Sequence, residues 1–128
     1  MPFNWDEYLT LAEQLAQNND EASKRASVSR AYYSAFNEAM ARAEKNCGPK
    51  QGGNSHDWCW NRYIFTVDPT GNCYDLANKG NRLKGMRVRA DYDASDIPRI
   101  DDFVQKALRS ARDLKGRLNA LDGKFPAP

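Results

Sequence analysis

The chain has 128 residues, 41% hydrophobic and 28% charged, and this length supports one domain with a single core. Nineteen Lys and Arg against 17 Asp and Glu give a formal net charge of +2, too balanced to indicate nucleic acid binding from bulk charge. No apolar run approaches the ~20 residues that a membrane-spanning helix needs. Residues 1–6 lack the basic and apolar regions of a secretory signal, so we expect a cytoplasmic protein without membrane contact.

Cysteine and histidine give no sign of a metal or cofactor site. Cys47, Cys59 and Cys73 are spaced by 12 and 14 residues, which matches no zinc-binding pattern. An odd number of cysteines is also a poor disulfide framework, and this favours a reducing compartment. The only histidine is His56, so no histidine pair is available to hold a metal. We therefore expect no metal and no cofactor.

Helical periodicity dominates the first half of the chain. A capping box at 4–7 predicts a helix from Asn4 to about Gln17, and a second box at 18–21 begins a helix of about 27 residues. Gly48 and Pro49 end this long helix. It carries a main apolar stripe and a second stripe, so other helices should cover it on two sides. The main stripe is at positions 22, 26, 29, 33, 36, 40 and 43, and the second is at 28, 32, 35 and 39.

The second half follows a Gly-rich loop at 48–54. We predict a short aromatic helix at 55–65, a turn at 67–71, a fourth helix at 72–91 and a last helix that begins near Pro98. The fold class is all-α, with four main helices and a short fifth packed as a bundle. We expect a single helical domain over residues 1–122 and a flexible C-terminal tail over 123–128.

The fourth helix carries five basic side chains and no acidic one between Lys79 and Arg89. On a helical wheel, Arg87 flanks the apolar face on one side, Arg82 and Arg89 flank it on the other, and Lys84 points outward. One interpretation is a solvated face with i, i+4 pairs to the following aspartates. The other is a phosphate-facing patch, because arginine binds phosphate in a bidentate manner.

Four residues outside this run leave alternatives open. Arg30 is either a structural arginine, bonded to a carboxylate or to helix-end carbonyls, or a further phosphate ligand. His56 is either an acid/base group or a first-turn residue bonded to a neighbouring helix. Trp58 and Trp60 cannot share one helical face, so one should be in the core and the other exposed to a base or a partner.

Three motifs follow one another along the chain. Residues 25–36 read Arg-Ala-Ser-Val-Ser-Arg-Ala-Tyr-Tyr-Ser-Ala-Phe, His56 follows a loop of Gly and Lys, and residues 87–93 read Arg-Val-Arg-Ala-Asp-Tyr-Asp. Together, and in this order, they resemble motifs of small bacterial HEPN-domain proteins. The resemblance covers about residues 5–121.

The resemblance implies a four- to five-helix HEPN-like bundle that is commonly a homodimer. Many HEPN proteins are metal-independent ribonucleases of toxin–antitoxin or anti-phage defence systems. Others have lost catalysis and bind a nucleotide, RNA or a protein partner such as an antitoxin. In the ribonucleases a histidine follows an arginine after four to six residues. Here four residues separate Arg87 from Tyr92, so a tyrosine is at the first position where the histidine would be, and no histidine follows it.

Two functional hypotheses result. In the first, the chain is a ribonuclease in which Arg87 stabilises charge on the phosphate and Tyr92 or His56 transfers protons. Additional contacts to phosphate or RNA would come from Arg82, Arg89, Lys84 and Arg30. In the second, the chain is a non-catalytic HEPN module that binds nucleotide, RNA or protein.

The geometry expected for Arg87 and Tyr92 argues against the first hypothesis. The two residues are ~140° apart on an ideal helix, so a site within one subunit would need the helix to end between them. The alternative is a cleft across a dimer. A tyrosine with an ordinary pKa of ~10 is also a poor base at neutral pH.

Overall fold

The computed structural model describes residues 2–128, which form five helices and no strand. The predicted all-α bundle is confirmed, and the aromatic helix has the predicted bounds. The helices are α1 (Asp6–Ala16), α2 (Glu21–Cys47), α3 (Ser55–Phe65), α4 (Asn72–Tyr92) and α5 (Ile100–Ala120). Within the described residues, no helix is long and apolar enough to cross a membrane.

Local capping explains where α2 and α3 begin. Asp20, rather than Asn18, caps α2, because its carboxylate accepts a hydrogen bond from the Ser23 backbone N–H at 2.9 Å. Asn54 caps α3 and accepts from the backbone N–H groups of His56 and Asp57 at 2.8 and 3.2 Å. The cap fixes His56 in the first turn of α3, so the backbone of this residue is held before its side chain makes any contact.

The long helix α2 lies at the centre of the bundle and packs against the other four helices. Its stripe at 28, 32, 35 and 39 is fully buried. In the stripe that the sequence indicated as the main one, Phe36 is buried, whereas Tyr33 and Met40 are half-buried and Ala22 is exposed. The ranking of the two stripes was therefore wrong. Four alanines of α2 are fully buried, at 31, 35, 39 and 43, and their small side chains leave room for the neighbouring helices.

Two arginines of α2 hold the C-terminal ends of the neighbouring long helices. Arg25 donates to four backbone carbonyls at the end of α4, those of Arg89, Ala90, Asp93 and Ser95. Arg42 does the same at the end of α5, with Leu118, Leu121, Asp122 and Phe125 as acceptors at 2.7–3.0 Å. The last carbonyls of a helix lack partners within the helix and carry partial negative charge. The guanidinium groups therefore set where α4 and α5 end relative to α2.

The C-terminal segment 123–128 makes packing contacts, unlike the flexible tail that the sequence suggested. Pro126 is buried, and Thr66 exchanges hydrogen bonds with the backbone of Ala127, at 2.6 and 2.9 Å. The carbonyl of Phe125 accepts from Arg42. Glycine and proline in this segment indicated a frayed end, and the sequence held no signal for these tertiary contacts.

One glycine of α4 allows α3 to approach closely. A Cβ atom at Gly80 would lie 2.6 Å from three carbon atoms of the Trp60 ring, which is fully buried. A Cβ at Gly85, five residues later in the same helix, would meet nothing within 4 Å. Helix propensity alone indicates only that both glycines weaken the helix. Gly80 instead has a packing function.

We predict opposite effects for alanine at these two glycines. Gly80→Ala should lower the free energy of unfolding by about 1–3 kcal/mol, because Trp60 is forced from its position in a packed core. Gly85→Ala is the matched control and should raise stability by up to about 1 kcal/mol through helix propensity. Urea unfolding followed by circular dichroism measures both. A Gly80→Ala protein as stable as the Gly85→Ala protein would contradict the close packing.

Candidate functional site

The three residues predicted to carry catalysis come together around two tyrosines of α2. His56 Nδ1 lies 2.6 Å from the Tyr32 hydroxyl. The Arg87 guanidinium lies 5.5 and 5.4 Å from the ring centroids of Tyr32 and Tyr33, and 5.9 Å from that of Tyr92. We call these five residues the His56–Arg87 site. It is formed by the first turn of α3, the middle of α2 and the last turns of α4.

The side chains of Arg87 and Tyr92 are in contact, although they leave the helix in directions that were expected to diverge. Helix α4 continues to Tyr92, so the helix does not end between the two residues. The long arginine side chain bridges the angle, and its guanidinium group still approaches the tyrosine ring. The expectation that both residues could join one site only through a helix end or a dimer cleft was therefore wrong. Tyr92 itself is 76% exposed and open to a ligand.

A chain of hydrogen bonds fixes the protonation of His56. The Trp60 indole N–H, which can only donate, lies 3.2 Å from the Tyr32 hydroxyl oxygen. Burial raises the pKa of Tyr32 far above its usual value, so the phenol keeps its proton. With Trp60 donating to the oxygen, the Tyr32 proton is free to point to His56 Nδ1, and we assign the bond in this direction. In this assignment His56 is neutral, accepts at Nδ1 and carries its own proton on Nε2.

The electrostatic surroundings also favour neutral His56. Burial lowers its pKa most, followed by the positive charges of Arg87 and Lys84, while the Asp57 carboxylate opposes them with a smaller effect. The ring stacks on Phe36, with 4.3 Å between centroids. Nε2 makes no hydrogen bond within residues 2–128 and is not a buried atom. His56 can thus donate a hydrogen bond to a ligand from Nε2, but it cannot accept a proton there.

Arg87 is buried rather than placed at the edge of the apolar face, and only 6% of it is exposed. Its Nη1 lies 3.7 Å from the Asp91 carboxylate, which also accepts a hydrogen bond from Ser29 at 3.0 Å. Its Nε is buried and has no hydrogen-bond partner in the described residues. A buried donor without a partner is uncommon and costly, although Arg25 and Arg62 each have an unpartnered buried Nε as well. The i, i+4 spacing predicted the Arg87–Asp91 pair, whereas Ser29 was missed as a support because it resembles an ordinary helix residue.

The other basic residues do not form one phosphate-facing patch. Lys84 pairs with Asp57 at 3.3 Å instead of pointing outward. Arg89 is exposed above the Phe103 ring, at 5.6 Å from its centroid. Arg82 lines a groove between α4 and α5. The predicted single patch is thus divided among different faces of α4, because five side chains over eleven residues point around the whole helix.

Arg30 makes a contact that neither structural interpretation predicted. Its guanidinium lies 4.9 Å from the centroid of Tyr8 in α1 and 5.3 Å from that of Tyr33. Tyr33 therefore contacts both Arg30 and Arg87. These are cation–π contacts and not bonds to a carboxylate or to helix-end carbonyls. Arg30 adds positive charge beside the His56–Arg87 site.

The tryptophans and cysteines have simple environments. Trp60 is in the core and Trp58 is half-buried, with the Arg62 guanidinium 5.4 Å from its ring centroid. All three cysteines are free thiols, and Cys47 is the least buried of them. Within residues 2–128, no group of three or more His, Cys, Asp or Glu side chains could hold a metal ion.

Comparison with known proteins assigns the chain to no family. No protein-family model matches the chain, and no curated protein or solved structure is significantly similar to it. The resemblance to HEPN proteins therefore depends on the three sequence motifs alone. What the site does must be argued from its own chemistry.

The hydrogen-bond chain predicts the tautomer of His56. Because His56 is the only histidine, its two ring nitrogens can be assigned directly in a ¹⁵N spectrum. We expect the Nε2–H form at pH 7.5. Tyr32→Phe should convert this to a mixture of both tautomers, because the donor to Nδ1 is lost. Tyr33→Phe is the control and should leave the tautomer unchanged. A dominant Nδ1–H form in the unsubstituted protein would refute the assignment.

The lowered pKa of His56 also predicts a pH dependence of stability. The unfolded chain has a histidine pKa of about 6.5, and the folded value is lower. Below pH 6.5 the unfolded state therefore binds a proton that the folded state does not, so stability should fall as the pH falls. His56→Asn keeps an acceptor for Tyr32 but cannot titrate. We expect the urea midpoint to drop more between pH 7.5 and 5.5 in the unsubstituted protein than in His56→Asn. Equal drops would contradict the assignment.

Proposed function

We propose that this chain is a HEPN-like helical module that binds the phosphate groups of RNA or a nucleotide at the His56–Arg87 site without cleaving its ligand. The observation that carries the proposal is the hydrogen-bond chain from Trp60 through Tyr32 to His56. It leaves an N–H donor at Nε2, and a phosphate oxygen is an acceptor that matches this donor. Cleavage through a ribose 2′-hydroxyl needs a base to remove its proton, and His56 in this tautomer is not one.

The surrounding groups support an anionic ligand. Arg87 supplies a buried guanidinium with an unpartnered Nε, and Arg30 and Lys84 add positive charge nearby. Charge-assisted hydrogen bonds to phosphate are stronger than neutral ones. The exposed ring of Tyr92, already beside Arg87, offers a face on which a base could stack. These groups together suit one phosphate and an adjacent base.

A second candidate is a metal-independent ribonuclease of a toxin–antitoxin or anti-phage defence system. The observation that favours it is that Arg87 and His56 approach the same pair of tyrosines within one chain, and that Tyr92 lies beside Arg87. Such an enzyme would need a base from elsewhere. A second subunit of a homodimer, an antitoxin or another protein partner could supply it.

Binding and cleavage of RNA distinguish these two functions. We expect single-stranded RNA to bind and to remain intact in EDTA. Tyr92→Ala should weaken binding by about tenfold through loss of stacking, and this exposed residue is not needed for folding. Arg87→Lys should weaken it similarly, because an ammonium group cannot reproduce the guanidinium contacts. Arg99→Lys is the control, at an exposed arginine paired with Asp102, and should change affinity less than about twofold.

Each other outcome has a definite meaning. Cleavage in EDTA that His56→Asn abolishes would replace the binding module by the ribonuclease. Binding that Arg99→Gln, which removes an exposed charge, weakens as much as Tyr92→Ala would indicate non-specific attraction and would refute the site. If RNA and nucleotides neither bind nor are cleaved, both candidates fail and a protein partner remains.

A further inference from the structure

A groove runs between α4 and α5 on a face of α4 that is distinct from the His56–Arg87 site. It consists of two adjoining cavities of about 570 and 400 Å³, and Lys79 and Arg82 line both. Arg82 precedes Arg87 by five residues, so the two side chains leave the helix ~140° apart. Arg82 points into the groove and Arg87 packs on the tyrosines of α2. The groove is therefore a separate candidate site.

The excess positive charge of the chain is located in this groove. One carboxylate, Asp113, accepts from both Lys79 and Arg117, at 3.0 and 2.9 Å, and so offsets only one of the two charges. The groove has four cations and two carboxylates, a net of +2, which equals the formal net charge of the whole chain. The cations are Lys79, Arg82, Lys106 and Arg117, and the carboxylates are Asp75 and Asp113.

The smaller cavity is lined by the two cations of the groove that are most available to bind an anion. Arg82 of α4 and Lys106 of α5 line it, both are exposed, and neither forms an ion pair within residues 2–128. The hydroxyl of Ser110 completes the polar wall, and no carboxylate lines this cavity. An anion here would meet a guanidinium, an ammonium and a hydroxyl from two helices. Arginine and lysine from two rigid elements hold a ligand more precisely than a flexible loop would.

We propose that the α4–α5 groove binds a short polyphosphate chain, the chemistry shared by inorganic polyphosphate and the tail of a nucleoside triphosphate. The two cations of α5 that line the groove, Lys106 and Arg117, are about 16 Å apart along the helix, which exceeds the size of a single phosphate. Both cavity volumes lie within the range of about 300–1,000 Å³ that small-molecule sites occupy. No aromatic side chain lines either cavity, so the groove lacks the stacking surface that single-stranded RNA uses.

Isothermal titration calorimetry at low salt tests the proposal on the full chain. The probes are sodium tripolyphosphate, ATP, inorganic phosphate and adenosine. We expect tripolyphosphate and ATP to bind with affinities within about threefold of each other, and phosphate and adenosine to bind at least about tenfold more weakly. If ATP binds and tripolyphosphate does not, the base carries recognition and the assignment is overturned.

Matched variants locate the ligand. Arg82→Gln and Lys106→Gln should each weaken tripolyphosphate binding by about tenfold, since each removes an unpaired cation at the surface. Arg109→Gln removes an exposed cation of α5 that does not line the groove, and it should change affinity less than about twofold. An equal loss in Arg109→Gln would mean that only net charge matters, which overturns the proposal.

The His56–Arg87 site is tested in the same titrations. The groove does not include His56, and tripolyphosphate has no base to stack on Tyr92, so His56→Asn should weaken tripolyphosphate binding less than Arg82→Gln does. If His56→Asn weakens tripolyphosphate binding and Arg82→Gln does not, the ligand binds at the His56–Arg87 site and the groove proposal fails alone. If RNA does not bind but Arg82→Gln still weakens tripolyphosphate binding, the proposed function fails and the groove remains.

Discussion

The contact between Trp60 and Gly80 is the constraint on which the site depends. Trp60 is fully buried, and its ring occupies the space that any side chain at position 80 would fill. This contact sets how closely α3 approaches α4. The same indole donates to Tyr32, and Tyr32 in turn bonds His56. One aromatic residue therefore joins the packing of two helices to the protonation of the only histidine. A change in the spacing of α3 and α4 would alter the chemistry of His56 directly.

Helix α2 fixes the positions of the C-terminal ends of α4 and α5, just as Trp60 fixes the position of α3. The Arg25 guanidinium holds the last carbonyls of α4, and Arg42 holds those of α5. Ser29 adds a bond from α2 to Asp91, which in turn lies beside Arg87. The guanidinium of Arg87 is thus oriented by a helix end that α2 fixes. Rigid helices on three sides are what allow a buried arginine to keep one geometry.

Much of the fold could be predicted from local sequence signals, and the site could be predicted only in part. The bounds of α3 follow from the Asn54 cap and the aromatic run, and the helical periodicity predicted the bundle. The stripe of α2 that faces the core depends on tertiary packing, which periodicity alone does not rank. The packing function of Gly80 could not be predicted, because a glycine within a helix indicates only lower helix stability until the aromatic ring beside it is known. Arg25 likewise resembles any surface arginine in an amphipathic helix.

The same limit applies to the chemistry of the histidine. The sequence could name His56 as an acid/base candidate, because histidine is the side chain that titrates near neutral pH. Whether it is a base depends on which ring nitrogen carries the proton, and a partner 24 residues away along the chain decides this. Tyr32 is protonated at neutral pH, burial raises its pKa further, and Trp60 donates to its oxygen, so its proton is available to His56. His56, although histidine is common in catalytic sites, is thereby held as a neutral hydrogen-bond donor. Our proposal of binding without cleavage depends on this hydrogen-bond direction, whereas the composition of the site alone would have favoured the opposite conclusion.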